Sequence, residues 1–172
     1  MIIKIVLLVL IISISAYTDI KENKIKNKYL LIALILGLVM STLTNGIVGA
    51  KDSLLGIIIP FLILFIFFVM RMLGAGDIKL FCTIGSIMGL NFVINNIMYT
   101  VFSTGIVIIV KLIVSKELFK IFKGTYYYFK SMILGRNFVE FPNVKNNRFP
   151  FAVSIFVGTI IQLIIKHNFI SI

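Results

Sequence analysis

Ile57-Ile58-Ile59-Pro60-Phe61-Leu62-Ile63-Leu64-Phe65-Ile66-Phe67-Phe68-Val69 is an uncharged, apolar stretch inside a longer run from Ser53 to Met70. A helix needs about 20 mostly apolar residues to cross the hydrocarbon of a bilayer, so this run reads as a membrane span. Pro60 inside it is expected to kink the span rather than end it, because neighbouring helices can satisfy the freed carbonyl. Working outward, the pattern recurs at Ile2–Thr18, Tyr29–Leu43, Ile78–Ile94, Ile97–Val114 and Phe149–Ile165. The whole chain of 172 residues is 60% hydrophobic and 13% charged, with a mean hydropathy of +1.12. Soluble domains are about 45–50% apolar and about 25% charged. The composition excludes a soluble globular enzyme and a disordered regulator alike. The expected fold is all-α, a polytopic membrane protein of about six transmembrane helices forming one domain over residues 1–172, with the lipid bilayer as its surroundings.

The 17 Lys+Arg against 6 Asp+Glu give a formal net charge of +11. These bases are spread between apolar runs, which argues against nucleic acid as a partner and for basic cytoplasmic loops. With the amino terminus outside, six spans leave Lys4, Lys51 and Lys166 alone on the outer side. The positive-inside rule therefore expects both termini outside. A cleavable signal peptide is a competing reading of the first run, with Lys4 before it and Ser13, Ser15 and Ala16 near its end. The lysines at 21, 24, 26 and 28 read better as the cytoplasmic flank of a retained span. Between the fifth and sixth spans, Lys116, Lys120, Lys123 and Lys130 fall on one helical face and Leu118, Phe119, Phe122, Tyr126 and Phe129 towards the other. That is an expected cytoplasmic amphipathic segment lying in the interface. Gly85 and Gly89 form a G-x-x-x-G pair, a pattern for close helix packing.

Of the six carboxylates, Asp52, Glu22, Glu117 and Glu140 sit in expected loops flanked by Lys or Asn. Asp19 and Asp77 instead lie at cytoplasmic ends of spans, where an ionisable group is costly and marks a functional candidate. Taken singly, Asp19 could terminate the first helix with Lys21 as partner, and Asp77 could be the N-cap of the fourth. Taken together, two carboxylates at one depth can share a proton and hold a water between a general base and a general acid. Gly74 and Gly76 precede Asp77 and would let a peptide backbone approach it closely. Elimination points the same way. The single histidine, His167, cannot supply H-E-x-x-H, and it lies at the outer end, away from any nucleophile. Cys82 reads as a packing residue. The expectation is two-aspartate chemistry with no metal and no cofactor.

Gly74-Ala75-Gly76-Asp77-Ile78-Lys79-Leu80 resembles the GxGD-x-K-L signature of type IV prepilin peptidases, the GxGD membrane aspartic proteases of peptidase family A24. That family's other aspartate opens a D-x5-I-P-N pattern, matched by Asp19, Ile25 and Asn27, with Lys26 where proline is usual. Phe149-Pro150-Phe151-Ala152 resembles the P-F-A-P entry into the last helix, with Val153 where a second proline often stands. The larger members carry an amino-terminal region with paired CxxC motifs; with Cys82 as its one cysteine, this chain resembles the short form, and no N-methyltransferase activity is expected. The resemblance implies that Asp19 and Asp77 hold the attacking water and that the substrates are prepilin-like proteins. Their basic leader would be cut off after a glycine at the cytoplasmic face. Gly74, Gly76, Lys79, Ile25, Asn27, Pro150, Phe151 and Ala152 are then supporting motif positions. Two rivals remain: another GxGD intramembrane protease, whose Y-D and P-A-L motifs are lacking here, and a non-enzymatic transporter or assembly scaffold.

Overall fold

The computed structural model describes residues 2–22, 24–114 and 151–170. They form α1 (Ile2–Glu22), α2 (Asn27–Val69), α3 (Ala75–Met88), α4 (Leu90–Val114) and α5 (Phe151–Ile170), with no strand among the described residues. The expected amphipathic segment between the last two helices lies outside the described residues. The chain divides into two compact units, Met1–Ser103 with Pro150–Ile172, and Thr104–Phe149. The described part of the second unit is the end of α4.

α1 buries Leu8, Ile11, Ile12, Ser15 and Ala16, spaced three and four apart along one face. Val6, Leu10, Ile14 and Tyr17 on the other face are exposed. Such exposure suits lipid, which is as apolar as the core. The buried face makes α1 part of the fold.

α2 is 43 residues long and has one non-helical residue, Gly46, at φ 59 and ψ −141. Only glycine takes those angles without strain. A side chain at Gly37 would meet Ser86 and Ile87, and one at Gly56 would meet the backbone of Gly85. The limbs before and after Gly46 therefore flank the same stretch of α3, and the chain reverses at this one residue. The sequence expectation of a loop from 44 to 52 is corrected here: both limbs stay helical up to Gly46. Pro60 does not end the helix, as expected.

α3 is the centre of the packing. Ten of its 14 residues are buried, including Leu80, Phe81, Ile84 and Ile87. Burial against protein instead of lipid gains dispersion contacts rather than hydrophobic transfer, so close approach decides stability here. Small residues supply it at Gly37, Gly56 and Gly85. Ser53 Oγ donates to the Ser86 carbonyl at 2.6 Å and Thr83 Oγ1 to the Leu30 carbonyl at 3.3 Å, tying α3 to both limbs. The expected G-x-x-x-G face holds only in part. Gly85 packs on Gly56, but Gly89 ends α3 with φ 88 beside the Asp52 carboxylate, which accepts the Leu90 N–H at 3.1 Å.

That break also moves the expected boundary between the fourth and fifth spans from Asn95–Asn96 to Gly89. Asn96 is fully buried inside α4 because α5 offers it partners. Its Nδ2 donates to Thr159 Oγ1 and Gln162 Oε1, both at 3.0 Å, and Gln162 Nε2 donates to the Phe92 carbonyl at 2.9 Å. Ser103 Oγ reaches the Ser154 carbonyl at 3.0 Å.

Among the described residues, three helices are long and apolar enough to cross a membrane: α1, α2, and Leu90–Val110 of α4; Phe151–Ile165 of α5 is a shorter apolar stretch. Helix length thus gives three candidates where the apolar runs gave six. Two of the runs are joined in α2, and α3, at 14 residues, is short for a bilayer.

Candidate active site

Asp19 sits in the last turn of α1 and is half-buried. Its Oδ2 accepts the backbone N–H of Ala152 at 3.0 Å. Ala152 is the second residue of α5 and is fully buried. The first N–H groups of a helix have no partner within it and carry the positive end of its dipole. An aspartate 133 positions away supplies that partner, so the first and last described helices meet at a carboxylate.

Asp77 is the third residue of α3, not its N-cap as one reading of the sequence had it. Gly74 is the N-cap, at φ −81 and ψ 150, and Asp77 Oδ2 reaches back to accept the Gly74 N–H at 3.1 Å. The residue is 9% exposed. It lies ahead of the apolar run that begins at Ile78, at the same end of the fold as Asp19. Burial pushes its carboxyl up to about 6, the Gly74 N–H opposes this, and the negative charge of Asp19 adds to it. Asp19 and Asp77 are therefore electrostatic neighbours, held by α1 and α3, which pack together.

The sign for stability follows from linkage. A carboxyl whose pKa is higher when folded binds its proton more tightly in the native state, so stability falls as pH rises between 3.8 and about 6 and stays lower above that. The difference is worth about 3 kcal/mol. Asp77→Asn removes the buried charge, so its melting temperature is expected to exceed the wild type's at pH 7 and to match it near pH 4. Equal gains at both pH values would contradict the buried-charge account.

The supporting positions, two separate motifs in the sequence, meet in space. Lys79 Nζ donates to Asn27 Oδ1 at 3.2 Å, and a methyl group at Gly76 would stand 3.1 Å from Ile25 Cβ. The α1–α2 connection is thereby docked on the first turn of α3. The two glycines thus serve packing within the protein as well as the space the sequence reading gave them. Neither has positive φ. Gly76 leaves room for Ile25, and a side chain at Gly74 would stand 3.0 Å from Asp77 Oδ2. Gly76→Ala is expected to destabilise the protein by about 1–3 kcal/mol through overpacking, and adding Ile25→Gly, which takes away the Cβ in the way, should recover part of it in a melting experiment. No recovery would show that Ile25 is not what the glycine makes room for.

Lys26 stands where proline is usual in the pattern, yet its φ of −76 lies within the range a proline ring imposes. Its Nζ pairs with Glu22 at 2.9 Å, both side chains nearly half exposed, a pair worth at most about 1 kcal/mol. Phe151 and Ala152 open α5 as expected; Pro150 lies outside the described residues. Cys82 is buried in α3 with Sγ 3.4 Å from the Ile57 carbonyl, a packing position. The sequence reading missed the Gly74 N–H as a carboxylate partner and the Asn96–Gln162 seam that holds α5. For the second, the signal was two amides in otherwise apolar runs, which in a membrane need partners.

A sequence model of the type IV leader peptidase family matches residues 5–110. No curated protein and no solved structure matches the chain. The matched stretch takes in Asp19, Ile25, Asn27 and the whole of Gly74–Leu80, the residues that α1, α3 and their connections gather at one end of the fold. On that match, the chain belongs to the type IV leader peptidase family.

Proposed function

We propose that this protein is a membrane aspartic endopeptidase that removes the basic leader from prepilin-like precursors. The observation that carries the reading is the pairing of Asp19 and Asp77 at one end of the fold, the buried one sensing the charge of the other. Two such carboxylates cannot both ionise without mutual repulsion, so one proton is shared between them. A base and an acid at adjacent points are what hydrolysis of an amide by water requires. Family membership supports peptidase chemistry. The aspartic type rests on this chain's own residues: the single histidine, His167, lies fifteen positions along α5 from Ala152, away from the end that carries Asp19 and Asp77.

In this reading six segments cross the membrane: α1, the two limbs of α2, α3, α4 and α5. The polar turn at Gly46 and the capped break at Gly89 then lie at the outer face. Asp19, Asp77 and the basic connection carrying Lys21, Lys24, Lys26 and Lys28 lie at the cytoplasmic face, in keeping with the positive-inside rule. Both termini are outside, and one membrane domain spans residues 1–172. A precursor's leader would reach the pair from the cytoplasm while its apolar helix stays in lipid, so the bond after the boundary glycine lies level with the carboxylates. Lys79, Asn27, Ile25, Gly76 and the opening of α5 act as support. No metal, cofactor or methyl donor enters this chemistry.

The test is cleavage of a prepilin-like precursor by the full chain in membranes, read by mass. The expected product begins at the residue after the boundary glycine. If no member of a panel of precursors with basic, glycine-ended leaders is cut, the transporter or scaffold reading replaces this one.

A further inference from the structure

The two carboxylates have unequal surroundings. Asp77 is nearly buried and, among the described residues, accepts one hydrogen bond, from the N–H of Gly74, the N-cap residue of its own helix. Asp19 is half-buried and accepts a hydrogen bond from outside its own helix, the Ala152 N–H at 3.0 Å. That donor belongs to the first turn of a 20-residue helix, whose unpaired N–H groups and dipole favour a negative charge placed against them. Charge-assisted bonds of this kind are about twice as strong as neutral ones. Of the charges at this end, Glu22 pairs with Lys26, Lys79 donates to Asn27 and Lys21 stands over the Tyr17 ring, while Lys24 and Lys28 are exposed. Asp19 is the titratable group whose charge bears on Asp77.

We propose that the amino-terminal turn of α5, through the Ala152 N–H on Asp19 Oδ2, divides the labour of the pair, keeping Asp19 as the resting carboxylate and leaving the shared proton on Asp77. The proposal rests on the two-aspartate reading and deepens it. Asp19 then takes a proton from water as the water oxygen bonds to the scissile carbon. The carbonyl electron pair moves onto its oxygen, which takes the proton of Asp77. As the C–N bond breaks, Asp19 passes its proton to the departing amine, and Asp77 recovers a proton from the hydroxyl as the new carboxyl forms. Water is consumed and both side chains return to their starting states. Ala152 is a positioning residue here, acting through Asp19.

The division is tested by infrared spectroscopy of the full chain in a bilayer, following the protonated-carboxyl band at about pH 5, where ordinary carboxyls are ionised. The band is expected in the wild type and in Asp19→Asn, and is expected to be lost in Asp77→Asn. A band lost in Asp19→Asn and kept in Asp77→Asn overturns the division while leaving the dyad intact. Cleavage that survives either substitution fails the dyad reading itself. The role of α5 is read with Ala152→Pro, which removes the donor in a first turn that tolerates proline. Its cleavage profile is expected to shift on the acid side to higher pH by about one unit. Val153→Pro removes the neighbouring N–H and should leave the profile in place. An unmoved profile in Ala152→Pro, or equal shifts in both, overturns the role of α5. If Ala152→Pro does not insert, the band assignment decides, because it uses neither proline variant.

Discussion

Asp77→Asn and Asp19→Asn are each expected to lower cleavage of a prepilin-like precursor by about a thousandfold or more, at unchanged amounts of protein in the membrane. Asparagine keeps the shape and an acceptor oxygen. Asn at 19 can still take the Ala152 N–H, and Asn at 77 can still take the Gly74 N–H, so the fold has no reason to fail. What each change removes is a group that accepts or gives a proton, a contribution of about 10²–10⁴ for one positioned acid or base. Because the two act on one water, the double variant should be no slower than the worse single one. Initial rates of product formation, normalised to inserted protein, measure this. Cleavage within tenfold of wild type in either single variant would sink the two-aspartate mechanism.

Gly85→Ala is expected to be the most damaging substitution in the packing of α3. A Cβ there would overlap the carbonyl oxygen of Gly56, a backbone atom that cannot rotate away. The gain in helix propensity is about 1 kcal/mol. Separating α3 from the second limb of α2 costs about 3 kcal/mol or more, the upper end of overpacking, so the loss wins by about 2 kcal/mol. Gly105→Ala, in α4, is the comparison: among the described residues nothing lies within 4 Å of the added carbon, and only the gain remains. Melting of the two variants in the same detergent should move in opposite directions, and a neutral Gly85→Ala would mean that the helices are not in contact there.

Both aspartates were legible because charge at the edge of an apolar run is conspicuous, and the spacing of Ile25 and Asn27 from Asp19 carried the first motif. The reversal at Gly46 was not. Asn45-Gly46 is a turn signal, but Thr42, Thr44, Lys51 and Asp52 look like a polar loop, and only contact with α3 shows that both flanks remain helical. Asn95 and Asn96 misled in the opposite sense. A pair of amides reads as a loop until Thr159 and Gln162 stand opposite, and pairing across 63 and 66 positions leaves no local trace. The glycines before Asp77 were read as space, and Ile25, from another motif, fills the part of it at Gly76.

The amide seam between α4 and α5 has a consequence at a distance. Gln162 is ten residues, about 15 Å of helix, from Ala152, so the seam works as an index for the head of α5. A slip of one turn would move that head by about 5.4 Å, strand the amide of Asn96 among apolar side chains, and carry the Ala152 N–H out of reach of Asp19. α5 leaves the ribosome after the helices that carry both aspartates, and so completes the partner set of a carboxylate laid down well before it. A chain that has inserted only the earlier helices would hold both aspartates and still lack the N–H that Asp19 accepts.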